Sequence, residues 1–482
     1  MIWFLVVCVL SCYLIIRLVQ RYAAVSRQLH FTEKMPGPPL ESKILGHVEE
    51  TMCPPEDMPT MVSARFKEYG SLLRIWIGGF PLVFIEEGKY AEVLFTSECT
   101  EIKPEFYRLL HGWLGLGLLT SSGPLWQQRR KLTNPAFHFS ILNDFCEVFI
   151  SNTLTLIDQL RQNPDGTFVN VMTQMKLVAL DNICGKASAM LMTRMSKPWL
   201  WNELLFFLSP TGRKHWRDLS TIFEVTDMAI ESRRHMRENK DNHLRWGSEE
   251  FDGSQKMAFL DLLLEACEKN SVSLLDEDLR DEVSTFMFGG QHTTSGSMGY
   301  TLFLLGNHPE IQEKCHQELD DIFQGSNRKP TVGDLQKMNY LEQVIKESLR
   351  LFPGIPLLGR EVAEDLQVGD YTVPKGTVLI LSVYSLHRDP KVFPDPDKFD
   401  PDHFSPEKSA GRHPYAYVPF APGPRNCPGQ KFALMEVKVV LSYILRNFQL
   451  ESEHELEDLK ISFALVIRPQ KDLNVKFTRR NP

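Results

Sequence analysis

One cysteine sits in surroundings that a structural cysteine does not need. The stretch PFAPGPRNCPGQKFA, Pro419 to Ala433, sets Cys427 among Pro422, Gly423, Pro424, Pro428 and Gly429, just before a helical pattern. Free cysteine is usually a small buried hydrophobe, and that reading covers most of the other eight cysteines. Here glycines and prolines fix a rigid turn and leave backbone N–H groups to point at the sulfur. The N-terminus of the following helix and nearby Arg425 stabilise a thiolate. A preorganised thiolate with N–H donors suits a metal ligand whose redox potential has to be tuned.

A second stretch raises a matching question. FMFGGQHTTSGS, Phe286 to Ser297, interrupts a helical run from Leu275 to Gly306. Glycine weakens a helix interior by about 1 kcal/mol relative to alanine. Gly289 and Gly290, set beside Gln291, His292, Thr293 and Thr294, imply that something approaches the backbone there.

The pattern F-x-x-G-x-R-x-C-x-G, here Phe420, Gly423, Arg425, Cys427 and Gly429, resembles the haem loop of the cytochromes P-450, and every fixed position matches. The resemblance implies that Cys427 is the axial thiolate on the iron of haem b. Glu347 and Arg350 share a helix face at i,i+3 and look like the family's structural pair behind the haem. Its third member is an arginine in a P-x-R-F turn, and here His403 in Pro401-Asp402-His403-Phe404 replaces it as a hydrogen-bond donor. Trp126 and Arg130 match W-x-x-x-R and can both reach a haem propionate; Arg360 stands where the family places another propionate contact. By the same resemblance Gly289-Gly290 form the dioxygen groove and Thr293 holds a water for proton delivery, while Thr294 turns its hydroxyl to the helix backbone.

WLGLGLLTSSG, NPAFHF, GRHPYAYVPF and EVSTFMF narrow the likeness to the fourth P-450 family and its invertebrate relatives, many of which hydroxylate fatty acids at or near the chain end. Two departures matter. The fourth family's usual text puts a glutamate at 289, which can become a haem ester, and an aspartate at 292. Gly289 cannot form that link, so non-covalent haem is expected. His292 either relays protons in place of the acid, weakens the relay, or marks a protein that rearranges a pre-formed peroxide; it can also simply point at a backbone carbonyl. A third departure is the short segment Asp181 to Trp201, where relatives carry several more helical turns.

The elements that must position these residues read as mainly α with a small segregated β-sheet, the cytochrome P-450 fold, with haem between a long distal helix and a proximal cysteine loop. Leu72 to Ile77 and Pro81 to Ile85 read as strands, and Leu366 to Val383 as two more. Helical periodicity marks Asn143 to Leu160, Glu203 to Phe207, Ile222 to Glu238, Lys256 to Glu268, His308 to Phe323, Tyr340 to Phe352 and Gly429 to Phe448. HRDPKVFPDPDKFDPDHF, from His387 to Phe404, is irregular. The 482 residues, 43% hydrophobic, suffice for a large core. Nine cysteines without a C-x-x-C pair argue against a disulfide framework or a zinc site. A net charge of -8 argues against nucleic acid.

Ile2 to Ile16 is apolar and uncharged, followed by Arg17, Arg21 and Arg27. Fifteen helical residues reach roughly 22 Å, short of the roughly 30 Å hydrocarbon core, and Leu18, Val19, Tyr22 and Ala23 extend the apolar face. The arginines follow the apolar run, the wrong order for a cleaved signal. The expected organisation is an anchor over 1–24, a basic, proline-rich linker over 25–39 containing MPGPP, and one catalytic domain over 40–482. The arginines put the catalytic domain on the cytosolic face, and the resemblance implies a monomer on the endoplasmic reticulum membrane. The expected function is insertion of one oxygen atom from O₂ into an apolar substrate, a fatty acid or related lipid, with NADPH electrons delivered by a separate flavoprotein reductase. Arg129, Arg130, Lys131 and Lys431 are candidates for its docking face. The alternative is a non-oxygenase haem-thiolate protein.

Overall fold

The computed structural model describes residues 2–40, 42, 46–47, 53–77, 80–137, 139–175, 190–191, 194, 197–245, 260–261, 263–265 and 275–480. Helices dominate, and the longest apolar one crosses the middle. The distal helix Asp276–Asn307 buries every residue from Thr294 to Leu305. A helix apolar all round belongs in a core, and Ser295, Gly296, Ser297 and Gly299 keep this one thin enough for neighbours to close in. Gly299 has the clearest need: an added Cβ would run into the Met172 sulfur. The core helix Asn339–Leu351 buries Leu341, Val344, Ile345, Ser348 and Leu349, the spacing of one helical face. The C-terminal helix Gln430–Asn447 packs its half from Val437 to Leu445 into the same cluster.

The main sheet has four strands in the order Leu72–Ile77, Phe80–Ile85, Val378–Ser382, Leu357–Glu361. The outer pairs are antiparallel and the central pair parallel, and Arg360 stands opposite Leu379. Sequence periodicity finds the first two strands. It misses Leu357–Glu361 and the C-terminal strands Phe448–Ser452 and Asn474–Arg479, which are short and follow helices without a clear change of period. Leu366 to Val383 forms three strands, the hairpin Leu366–Val368 with Tyr371–Val373, then Val378–Ser382. The helix expected over Lys256 to Glu268 lies mostly outside the described residues, as does most of the short segment from Asp181.

The linker expected over 25–39 is corrected. The first helix runs unbroken from Ile2 to Thr32, and its end is docked on the body. Arg27 pairs with Asp365, Gln28 Nε2 donates to Lys375 O at 2.9 Å, and Trp76 Nε1 donates to Thr32 Oγ1 at 3.2 Å. The proline segment is pinned too: Arg74 N donates to Pro36 O at 2.8 Å and Arg74 Nη1 to Pro38 O at 2.8 Å. These residues therefore form part of the body and do not act as a free spacer. Among the described residues no helix is long and apolar enough to cross a membrane; residues 2–10 are described in backbone only.

A fully buried ion pair ties the core helix to the irregular stretch that leads to Cys427. Glu347 and Arg350 have no side-chain exposure. Arg350 engages all five N–H donors: Nε and Nη2 reach Glu347 at 2.8 and 2.7 Å, and three more bonds reach His387 O, Pro396 O and Lys398 O at 3.0, 2.6 and 3.0 Å. Asp400 N donates to Glu347 Oε1 at 2.9 Å. His403 also reaches this pair. Its Nδ1 lies 3.1 Å from Glu347 Oε1 and its Nε2 lies 2.9 Å from Pro394 O. Both partners are acceptors, so both bonds need a ring carrying two protons. Burial alone would raise the Glu347 carboxyl, but hydrogen bonds from Arg350 and His403 hold it below its ordinary 4.5. That contribution to stability is present above the ordinary value and is lost as pH falls through the lower folded one.

His403→Ala should lower thermal stability by about 2–4 kcal/mol, because it leaves a buried carboxylate short of a donor. His403→Arg should recover most of it. Equal melting of wild type and His403→Ala would remove His403 from the network.

Candidate active site

The cysteine loop follows from its glycines. Gly423 adopts φ +87° and lies so close to Phe95 O that no side chain fits. Ala421, at φ +51°, shares the tight turn. The loop closes through Cys427 N, which donates to Phe420 O at 2.9 Å, and Asn426 N, which donates to Gly423 O at 3.1 Å. Burial pushes the Cys427 thiol up, while the Gly429 N–H and the Arg130 charge pull it back without cancelling the rise. A bound metal cation deprotonates such a thiol outright.

The cation beside the sulfur is Arg130, not Arg425 as the sequence reading supposed. Arg130 Nη1 donates to Asn426 O at 2.9 Å and its Nη2 to Asn426 Oδ1 at 2.6 Å, a two-pronged hold on the residue before the cysteine. Trp126, one turn earlier, is buried and carries the Arg425 guanidinium over its ring at 4.6 Å. Arg425 donates to Glu101 O at 2.8 Å and Ser121 O at 2.7 Å. Arg360 is 3% exposed, and its guanidinium donates to the neighbouring Gly359 O at 2.9 Å. Lys103, which sequence reasoning did not single out, feels the charges of both Arg360 and Arg425. Burial, then the charge of Arg360, brings Arg425 down to about 9. Burial and the same two arginines push Lys103 far below its ordinary value. No carboxylate among the described residues forms an ion pair with Arg360, Arg425 or Lys103.

The distal helix supplies the other wall. Phe286, Gly289, Gly290 and Thr293 are partly or fully exposed, while Phe288, His292, Thr294 and Ser295 around them are buried. An added Cβ at Gly289 or Gly290 would meet nothing within 4 Å. That is a groove with a single hydroxyl in it. Thr293 Oγ1 donates to Gly289 O at 2.7 Å, so Thr293 makes the backbone bond that the sequence reading gave to Thr294. The methyl of Thr293 faces Gly354, where an added Cβ would stand 3.3 Å away. His292 is not on the open face. It is buried edge-on against Phe288, ring centres 5.4 Å apart, and Phe288 in turn packs on Trp113 at 5.1 Å.

Phe137 connects the two walls. It packs on Phe286 of the distal helix at 5.5 Å and on Phe432 beyond the cysteine at 6.4 Å. An added Cβ at Gly429 would lie 3.7 Å from Phe137 and 3.9 Å from Cys427 Sγ. The distal helix is itself braced from outside. Asp281 accepts from Leu116 N at 2.8 Å and Glu282 from Leu118 N at 3.2 Å, and Arg129 pairs with Asp278 and Glu282. Arg129 is therefore 2% exposed and unavailable to a docking partner; of the four basic candidates, Lys131 and Lys431 remain exposed.

A flat, dianionic iron macrocycle fits this arrangement. The thiol offers an axial ligand, the opposite wall is hollowed by two glycines, and the carboxylate-free cations match a pair of propionates.

Comparison with known proteins agrees. The family model "Cytochrome P450" matches residues 36–187 and 181–477. The chain is 39% identical to human cytochrome P450 4V2 over 97% of its own length and 94% of the relative's. It is 38% identical to cytochrome P450 4c3 of Drosophila melanogaster over 95% and 91% of the two chains. A solved structure, the haem domain of cytochrome P450DA, superimposes with a TM-score of 0.77 at 26% identity, covering 93% of this chain and 98% of the other. With the thiol loop, the hollowed helix and the buried ion pair in place, the chain belongs to the cytochrome P450 family, as a haem-thiolate monooxygenase supplied with electrons by a separate reductase.

Proposed function

We propose that this monooxygenase hydroxylates an apolar, lipid-like substrate, a fatty acid or close relative, with Cys427 as the axial ligand. The observation that carries the reading is the open face of the distal helix. Phe286, Gly289, Gly290 and Thr293 give an apolar strip with the Thr293 hydroxyl in it, joined to the cysteine loop through Phe137. The haem, when bound, supplies the one-electron chemistry that activates dioxygen. The chain's own residues hold and orient it. Trp126, Arg360 and Arg425 would hold its carboxylates, while Arg130 fixes the cysteine loop through Asn426 and Phe420 closes that loop. Thr293 exchanges its bond to Gly289 O for a water and passes protons through it. Gly289 leaves the haem without an ester. The apolar run from Ile2 anchors the protein to the endoplasmic reticulum membrane as a monomer, with residues 40–482 and the docked stretch before them as one catalytic domain on the cytosolic side.

The place of His292 favours a second reading. It packs against Phe288, away from the open face, and the acid expected at that position is missing. A protein without a distal acid can rearrange a pre-formed hydroperoxide, which already carries its oxygen atoms and needs no proton supply for dioxygen.

The reduced protein with carbon monoxide should give the red-shifted absorption band of a thiolate ligand, and Cys427→Ser should abolish it. A wild-type band at the position of imidazole-ligated haem would sink the assignment. Acid denaturation should release all the haem into organic solvent, since no ester holds it; haem left on the chain would contradict the role of Gly289. With reductase, NADPH and a fatty-acid panel, His292→Asp should increase product formed per NADPH consumed. Unchanged coupling, together with turnover of a fatty-acid hydroperoxide without NADPH, would favour the isomerase reading.

A further inference from the structure

The distal helix lacks an acid on its open face, yet a buried acid stands on the same stripe two turns earlier. Glu282, Thr285, Gly289 and Thr293 follow one another at helical spacings, so they share one side of Asp276–Asn307. From Glu282 to Gly289 the helix rises about 10 Å. Glu282 and Thr285 are buried, whereas Gly289 and Thr293 open into the groove. Glu282 Oε2 accepts from Leu118 N at 3.2 Å, and Arg129 Nε stands 3.6 Å from Oε1, too far for a hydrogen bond. Among the described residues neither Glu282 Oε1 nor Thr285 Oγ1 has a hydrogen-bond partner. Gly117 brings its loop against this hydroxyl, since an added Cβ would collide with Thr285 Oγ1. Next along the stripe, Gly289 leaves open space, and its carbonyl receives Thr293 Oγ1 at 2.7 Å.

Buried oxygens in a native core are nearly all hydrogen-bonded. Two without partners, one turn apart and in line with the groove, mark a place where a proton can be taken up and passed on. We propose that Glu282 feeds protons to the groove through the Thr285 hydroxyl, the task of the acid missing at 292. The inference rests on the oxygenase reading. Glu282 is a relay group that acts through Thr285 and does not touch the reacting atoms. In each transfer the carboxyl gives its proton to Thr285 Oγ1. The hydroxyl proton moves on through water beside Gly289 to Thr293. The carboxylate is then reprotonated from bulk solvent by way of Asp278 and Asp281, which are partly exposed. No electron moves, and each group ends as it began. The surroundings suit Glu282 to this task. Burial raises its carboxyl to about 7, with Asp281 and Asp278 adding to the rise, while the Leu118 N–H and Arg129 oppose it. Among the described residues Arg129 is the charge that faces it from another element, and Asp278 and Asp281 face it from its own helix. A donor poised near the working pH is the most effective. Its protonated form prevails below that value and is lost as pH rises through it.

The test uses the full chain loaded with haem and compares wild type with Glu282→Gln, Glu282→Asp and Thr285→Val. The glutamine keeps an oxygen for Leu118 N, and the valine takes no hydrogen bond from the fold, because Thr285 Oγ1 makes none. Infrared difference spectra of the resting protein should show a carboxyl band that titrates at about pH 7 in wild type and Thr285→Val and is absent from Glu282→Gln. With reductase, NADPH and dodecanoic acid, product formation should fall roughly a hundredfold in Glu282→Gln and in Thr285→Val, the lower end of what a positioned proton donor contributes. Glu282→Asp should keep part of the rate. The wild-type rate should decline as pH rises through that of the carboxyl band, and Glu282→Gln should lose this dependence. Product formation driven by added hydroperoxide, which needs no proton supply for dioxygen, should fall far less. A wild-type rate in Thr285→Val, a titrating band that survives in Glu282→Gln, or an equal loss with hydroperoxide would overturn the proposal. Should Glu282→Gln not fold, Thr285→Val and Glu282→Asp carry the test. Absence of the thiolate band from the carbon monoxide complex of wild type would instead strike the reading of Cys427.

Discussion

The carboxylate of Glu347 is the point on which the proximal half of the molecule depends. It has no exposure, and it receives Arg350 through two bonds, His403 through one and the backbone of Asp400 through another. Through Arg350 it also controls the carbonyls of His387, Pro396 and Lys398. The stretch from His387 to Phe404 has little regular structure, so it cannot hold itself in place by helix or sheet bonds. The buried ion pair supplies those bonds instead. Such a pair gains little over a well-packed apolar replacement, and breaking it is severe. Its value here is geometric: it fixes the backbone behind the loop that carries Cys427.

The second constraint is electrostatic and lies at the edge of the slot. Arg360 and Arg425 stand there with carbonyls and an aromatic face as their partners. A core would ordinarily avoid this arrangement. It becomes favourable when an anion fills the space, so cofactor binding and folding are coupled at that edge. The distal helix faces a different demand. It must be thin at Gly289 and Gly290 and rigid everywhere else. The buried run from Thr294 to Leu305 and the brace from Asp278, Asp281 and Glu282 meet that demand on either side of the gap.

Much of this was legible in the sequence because the chemistry is local. The cysteine loop, the i,i+3 pair and the glycine gap are each read within a few neighbouring residues. The turn Pro401 to Phe404 likewise points to His403, whose ring lies beside Glu347. What escaped reading depends on distant contacts. Arg130 was assigned to a propionate, yet its bonds go to Asn426, nearly three hundred positions away in the chain. The backbone bond that the sequence reading gave to Thr294 is made by Thr293, since either hydroxyl can reach back one turn. The basic stretch before MPGPP read as a spacer because its partners, Asp365 and Lys375, lie in a hairpin far along the chain.

The account stands on one ligand. X-ray absorption at the iron edge of the loaded ferric protein reports the atoms bound to iron directly. A single sulfur scatterer, lost in Cys427→Ser, is the predicted result. A first shell of nitrogen and oxygen alone would contradict the account, because the cysteine loop, the hollowed helix and the cations at the slot's edge would then lack the cofactor that unites them.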